Sequence, residues 1–307
     1  MRKCPITVRV INLNAMPANS SRKSTRPSVR DVIKLIRVKQ WVKNGFVLAP
    51  LLFTGKFTDP ASVSSALIAV ALFCLASSAT YIVNDLKDID RDRLHPKKSS
   101  SRPLAAGTIT TQWAFFILAV LYVCLAIGYF AERAVVLVIL CYIALNLLYT
   151  FKLKHQPVLD IFTISLGFVL RVFAGAVALD APVSGWMFVT TLCLALYLAA
   201  IKRSQELSLH GAGGREVLSK YTKSLVDRYA EISATCALVF YSMFVMASRP
   251  ELMISVPFVL FGLFRYWYVV EMLDGGESPT DALLTDPPLL ITIAAWCAVC
   301  LWALWPN

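Results

Sequence analysis

The sequence predicts an all-α membrane protein, and three observations predict it. Of 307 residues, 57% are hydrophobic and the mean hydropathy is +0.64, well outside the range of a soluble domain. Apolar runs long enough to cross a bilayer recur along the chain. The positive charges fall on alternate connections, the asymmetry that membrane insertion imposes.

Residues 1–29 mix Ser, Pro, Asn and Arg without an apolar core, so they read neither as a signal peptide nor as a span. A disordered basic arm lying on anionic lipid is expected there, followed by a single transmembrane domain over 30–307. From Asp31 to Asn44, Val32, Leu35, Ile36 and Val38 are set against Arg30, Lys34, Arg37 and Lys39, the pattern of an amphipathic interfacial helix. Nine candidate spans follow, at about 44–55, 61–83, 112–131, 134–151, 158–179, 186–201, 230–248, 252–270 and 288–305. The first has a polar lead-in and is the shortest.

A formal charge of +11 would suit nucleic acid, but its distribution argues for a membrane and no nucleic acid. The N-terminal segment is basic, as are the loop after span two (Lys87, Arg91, Arg93, Lys97, Lys98, Arg102), the turn after span four (Lys152, Lys154) and the loop after span six (Lys202, Arg203, Arg215, Lys220, Lys223, Arg228). The intervening loops carry only Lys56, Arg133 and Arg249. The N-terminus and even-numbered exits are therefore expected in the cytoplasm of an inner (plasma) membrane protein, with the C-terminus outside. Eight cysteines lie mostly within spans. Cys297-Ala-Val-Cys300 has redox spacing but sits between Trp296 and Trp302 in an apolar helix, where packing explains it. No Cys and His grouping matches a zinc site.

The chemistry is concentrated in Asn84-Asp-Leu-Lys-Asp-Ile-Asp-Arg-Asp-Arg-Leu-His-Pro-Lys-Lys-Ser-Ser-Ser-Arg-Pro103, at the end of span two. If the helix continues past Val83, Asn84, Asp88 and Asp92 recur every fourth residue on one face, flanked by Asp85. Oxygens gathered in this way repel one another unless a hard cation sits among them, and Mg²⁺ is commonly held by a few carboxylates together with substrate phosphates. The competing reading is a salt-bridged helix end neutralised by Lys87, Arg91 and Arg93.

Basic residues elsewhere offer anion contacts. Lys39 and Lys43 are four apart and share a helical face; phosphate binding and snorkelling to headgroups both fit them. Lys98 and Arg102 follow the acidic stretch in a Pro- and Ser-rich loop, where phosphate binding competes with a plain positive-inside loop. Span four exits into Lys152-Leu-Lys154-His155-Gln-Pro157-Val-Leu-Asp160, which places Asp160 just inside span five, where an uncompensated charge is costly. Arg171 lies about 16 Å further along that span at 1.5 Å per residue, and either an aspartate or an anionic headgroup would compensate it. Span six ends at Lys202 and Arg203. The glycines at 211–214 are only a faint phosphate cradle, since no strand precedes them, and the acidic loop Glu271 to Asp286 reads as a solvated turn.

The Asn-Asp-x-x-Asp-x-x-x-Asp spacing at a membrane exit resembles the first Asp-rich motif of the UbiA superfamily of intramembrane prenyltransferases. That resemblance covers nearly the whole chain and implies nine helices around a central cavity open to the cytoplasm, with magnesium on Asn84, Asp85, Asp88 and Asp92. The superfamily's second motif supplies another aspartate pair. Here Asp160 stands alone, with Gln156 four residues before it and Ile164 four after, and Lys154 and His155 occupy the neighbourhood. Lys39-Gln-Trp-Val-Lys-Asn44, Arg102-Pro-Leu-Ala-Ala-Gly107, Leu153-Lys-His-Gln-Pro-Val-Leu-Asp160-Ile and Lys202-Arg203 add a closer likeness, to the phosphoribosyl-transferring branch of that superfamily.

The branch implies 5-phosphoribosyl 1-diphosphate as donor, a polyprenyl (decaprenyl) phosphate lipid as acceptor, and a product feeding arabinan synthesis for the cell wall. Asp85, Asp88, Asp92 and Asp160 would then serve catalysis. Lys39, Lys43, Lys98, Arg102, Lys154, His155, Arg171, Lys202 and Arg203 would contact substrate. A homo-oligomer is compatible with the sequence. Two rivals remain open: prenyl transfer from a polyprenyl diphosphate to an aromatic acceptor, and transport of anionic lipid without chemistry.

Overall fold

The computed structural model describes residues 27–95, 98–182, 184–210, 216–272 and 285–305. Most of the basic arm, the glycines at 211–214 with Arg215, and most of the acidic loop from Glu271 to Asp286 lie outside the described residues. Those described form helices without a strand: α1 (Val29–Leu35), α2 (Pro60–Lys87), α3 (Thr111–Ala131), α4 (Arg133–Phe151), α5 (Leu159–Ala178), α6 (Gly185–His210), α7 (Lys223–Ser248), α8 (Val256–Met272) and α9 (Pro287–Ala303), with shorter helical turns between them.

Seven helical segments are long and apolar enough to cross a membrane: α2 to α7, and α8 taken with its 3₁₀ lead-in from Pro250. The helix α9 is apolar but shorter, at 17 residues. The expected first span over 44–55 is different in kind. It is a 3₁₀ helix, Val38–Leu48, running into a five-residue α-helix, Ala49–Phe53. Its sequence is apolar because it is packed inside the protein. Asn44, Val47 and Pro50 are buried, and the segment lies so close to α5 that a Cβ on Gly175 would fall 1.9 Å from the Val47 carbonyl oxygen. Only glycine permits that approach.

Capping residues start the helices where the sequence changes from polar to apolar. Asp59 accepts from the Ala61 and Ser62 amides ahead of α2, with Pro60 in the first turn. Thr110, Thr222 and Asp286 do the same for α3, α7 and α9, satisfying amides that have no partner within their helix. The helices α2 and α5 are the most enclosed and α3 the least. Phe115, Phe116, Val123 and Ile127 of α3 are exposed, as expected of a lipid-facing surface.

Two apolar cores are the largest among the described residues. One joins α2, α4 and α5 through Phe73, Ala76, Ile139, Tyr142 and Ala174. The other joins α6, α7 and α8 through Tyr197, Ile201, Val226, Ala230 and Tyr266. Between them a cavity of about 290 Å³ is walled by α2, α4, α5 and α6, and the polar ends of these helices gather at its mouth.

Candidate active site

The acidic stretch does not continue α2 as one helix. That helix ends at Lys87, Asp88 leaves helical geometry (φ −101°, ψ 11°), and a new short helix runs from Ile89 to Leu94. The break has an electrostatic reason: acids oppose the dipole at a helix C-terminus but complement it in a first turn, and Asp90 and Asp92 now occupy one. Hydrogen bonds from the Asp88 amide to the Asn84 carbonyl (3.0 Å) and from the Asp92 amide to the Asp88 carbonyl (2.8 Å) bridge the break. Asn84, Asp88 and Asp92 therefore still face one cavity. Asp85, 3% exposed, is off that wall.

Asp85, Asp88 and Asp92 each meet a cation from outside their own helix, whereas Asp90 pairs with Arg93 three residues on. Lys154, in the 3₁₀ turn Leu153–His155, holds both oxygens of Asp88 at 2.8 and 3.0 Å. Arg102 reaches Asp85 at 2.9 Å and also Asp92, while Lys98 stands 3.8 Å from Asp92. Arg37 completes the set by bonding Asp85 and stacking over the Tyr81 ring at 4.7 Å. It adopts a left-handed backbone, φ 53°, at the corner where α1 turns into the 3₁₀ helix. Among the described residues no three acids, histidines or cysteines are grouped as a metal cage.

The remaining predicted residues divide. Lys43, His155, Arg171 and Lys202 line the cavity together with Lys98, Arg102 and Lys154. Lys39 is exposed and lies off the wall. Asp160, expected to serve catalysis, and Arg203, expected to contact substrate, are also off it. Asp160 is fully buried, and its oxygens receive Arg203 Nε at 2.7 Å and the Tyr221 hydroxyl at 2.7 Å. Burial pushes the Tyr221 phenol above its ordinary pKa, and so it remains a donor. Arg203 is 1% exposed and also bonds Glu206 at 2.7 Å.

Lys202 and Arg203 part company because α6 does not stop at residue 201 but runs on to His210. Adjacent residues within a helix point about 100° apart, so Lys202 faces the cavity and Arg203 faces α5. Sequence reasoning also left out wall residues. Arg37 reads in the sequence as the polar face of an interfacial helix and Arg91 as a local neutraliser of the acids, and Tyr142, Asn146 and Tyr149 are not singled out, yet all five line the cavity. Asn146, a lone amide in an apolar run, was the available signal.

Residues 45–283 match the model of the UbiA prenyltransferase family. The chain belongs to that family. It is 36% identical over 291 residues to the decaprenyl-phosphate phosphoribosyltransferase of Mycolicibacterium smegmatis, covering 87% of this chain and 90% of the relative. The protein of the same name from Corynebacterium glutamicum is 36% identical over 299 residues, covering 92% and 89%. Among solved structures, a UbiA homolog from Archaeoglobus fulgidus bound to DMAPP and Mg²⁺ superposes with a TM-score of 0.68 at 20% identity, over 89% of this chain and 99% of that one. Family membership and the apolar helices together make this an integral membrane transferase.

Proposed function

We propose that the protein transfers a 5-phosphoribosyl group from 5-phosphoribosyl 1-diphosphate to a polyprenyl phosphate of decaprenyl type, releasing diphosphate. The observation that carries this reading is the composition of one cavity wall: the oxygens of Asn84, Asp88 and Asp92 share it with Arg37, Arg91, Lys98, Arg102, Lys154 and Lys202. A hydrocarbon-tailed diphosphate with a neutral aromatic partner needs fewer cations. Two phosphorylated substrates account for them, and relatives of matching length carry the name of that activity.

The oxygen-only donor set suits a hard divalent cation, and the named A. fulgidus homolog was solved with one. Asn84, Asp88 and Asp92 would hold Mg²⁺, with Asp85 beneath them anchoring Arg37 and Arg102. When bound, the ion supplies charge stabilisation to the departing diphosphate. Lys154 and Arg102, now committed to Asp88 and Asp92, exchange those carboxylates for phosphate oxygens when the donor arrives. Such an exchange keeps the net charge of the wall balanced in both states.

The acceptor phosphate is already anionic near neutral pH, so its oxygen attacks ribose C1 without a general base while the C1–O bond to diphosphate breaks. The surrounding cations stabilise charge that moves onto the leaving oxygens, an electrostatic and positioning mechanism. The basic connections on alternate loops support an N-terminus and a cavity mouth on the cytoplasmic side, where a soluble sugar diphosphate would meet a membrane lipid. Incubating the purified protein with Mg²⁺, labelled phosphoribosyl diphosphate and polyprenyl phosphate should yield labelled lipid. Product only from a polyprenyl diphosphate and an aromatic acceptor would overturn the assignment.

A further inference from the structure

Arg37, Lys98, Arg102 and Lys154 around the cavity each pair with an acid; Arg171 does not. It lies in the body of α5, is 4% exposed and still forms part of the cavity wall. Its Nε donates to Asn44 Oδ1 at 2.8 Å, Nη1 to the Gly167 carbonyl at 2.8 Å and Nη2 to the Tyr142 hydroxyl at 3.1 Å. The rings of Phe73, Tyr142 and Phe168 surround the guanidinium at 5.3, 4.9 and 5.2 Å.

Every one of these partners is neutral, and no carboxylate among the described residues pairs with the group. Rings and amides orient a guanidinium, but they do not cancel its charge. An arginine held this way within a membrane helix requires a countercharge from outside the protein. Two of its five N–H groups, one on each terminal nitrogen, are not engaged by these bonds. Ile164, Phe168, Ala195 and Leu198 line the same cavity, so the surroundings are apolar and suit an isoprenoid chain better than a ribose.

We infer that Arg171 seats a phosphate monoester, the terminal phosphate of the lipid acceptor, apart from the acidic rim that receives the donor. Asn44 has a specific part in this. Buried on the 3₁₀ helix, it donates to Ser77 Oγ at 3.1 Å and Cys74 Sγ at 3.2 Å, which turns its carbonyl oxygen toward Arg171. A neutral amide positions the cation, whereas a carboxylate at 44 would satisfy it internally and remove its need for a ligand. The inference rests on the reading above in taking the acceptor to be a phosphorylated lipid.

The test is binding without turnover. With the purified full chain and no donor, affinities are measured for a polyprenyl phosphate and for the polyprenol of the same tail. Wild type should prefer the phosphate on the order of tenfold to a hundredfold, the range of a charge-assisted hydrogen-bonding pair. Arg171→Gln should lose that preference while still binding the alcohol. Asn44→Asp keeps the side-chain shape and supplies a countercharge, so it should lose the preference even where Arg171→Gln fails to fold. Binding of phosphoribosyl diphosphate with Mg²⁺ should be unchanged in both.

Donor affinity that falls while the lipid preference survives would assign the seat to the 5-phosphate of the sugar and overturn the lipid assignment. Variants indistinguishable from wild type in both arms would make Arg171 a packing residue. Arg171-dependent phosphate binding in a protein that forms no phosphoribosyl lipid would sink the proposed reaction and leave this seat standing.

Discussion

Two acid and base clusters built from the same residue types lie on opposite sides of the cavity wall. At the rim, the Asp88 and Lys154 side chains retain 20% and 11% exposure and pair through a long, flexible ammonium. Behind the wall, the Asp160 and Arg203 side chains retain 0% and 2%, locked by Tyr221 and Glu206. The first pair can separate when a ligand offers better partners. The second cannot without leaving a charge buried and alone, so its work is to fix α5 against α6. Composition and spacing do not distinguish such clusters; access to the cavity does.

The widest separation between them should appear in turnover. Replacing Asp88 (Asp88→Ala) should lower the transfer rate about a hundredfold or more, the scale of losing a principal electrostatic group, while thermal unfolding shifts by only about 1 kcal/mol for a partly exposed pair. Asp160→Ala should show the reverse balance. It leaves the buried Arg203 with one carboxylate partner instead of two and Tyr221 without its acceptor, and should destabilise the protein by about 3–5 kcal/mol, read as a lower unfolding midpoint in detergent. Much of that loss should return in the Asp160→Leu, Arg203→Met double variant, because an apolar pair removes both fully buried charges and leaves only the partly exposed Glu206 without Arg203. Recovery of wild-type stability by Asp160→Ala alone would dissolve the contrast.

A smaller effect sharpens the rim itself. Lys154→Gln should raise the KM for phosphoribosyl diphosphate about tenfold, the loss of one charge-assisted contact, and alter kcat less. An unchanged KM would mean that Lys154 stays on Asp88 throughout turnover. The smallest expected change is at Lys39, exposed and off the wall: Lys39→Ala should alter steady-state rates less than about twofold, within the usual range for a surface position. A larger loss would place the N-terminal segment in the site.

Much of the fold was legible because lipid-spanning helices announce themselves by length and hydropathy, and α2 to α9 fall close to the apolar runs that predicted them. The stretch at 44–55 was not, since apolar length alone does not separate a span from a wedge buried among spans. Its polar lead-in, its short length, Gly45 and Pro50 were the hints. At the rim, the four-residue recurrence of Asn84, Asp88 and Asp92 was legible, and it survives a helix break that no periodicity forecasts. The company of Asp160 was not, because Arg203 lies 43 residues away and its direction depends on α6 continuing past residue 201. Arg171 was visible as an anomaly, but its cage of Asn44, Phe73, Tyr142 and Phe168 comes from four separate segments.

The central claim is that the rim acids gather a divalent ion and the buried acid does not. Mn²⁺ binding to the purified protein in the presence of phosphoribosyl diphosphate, followed by electron paramagnetic resonance, tests it directly. Bound Mn²⁺ should be seen in wild type and in Asp160→Ala and be lost in Asp88→Ala; binding by Asp88→Ala equal to wild type would contradict the account.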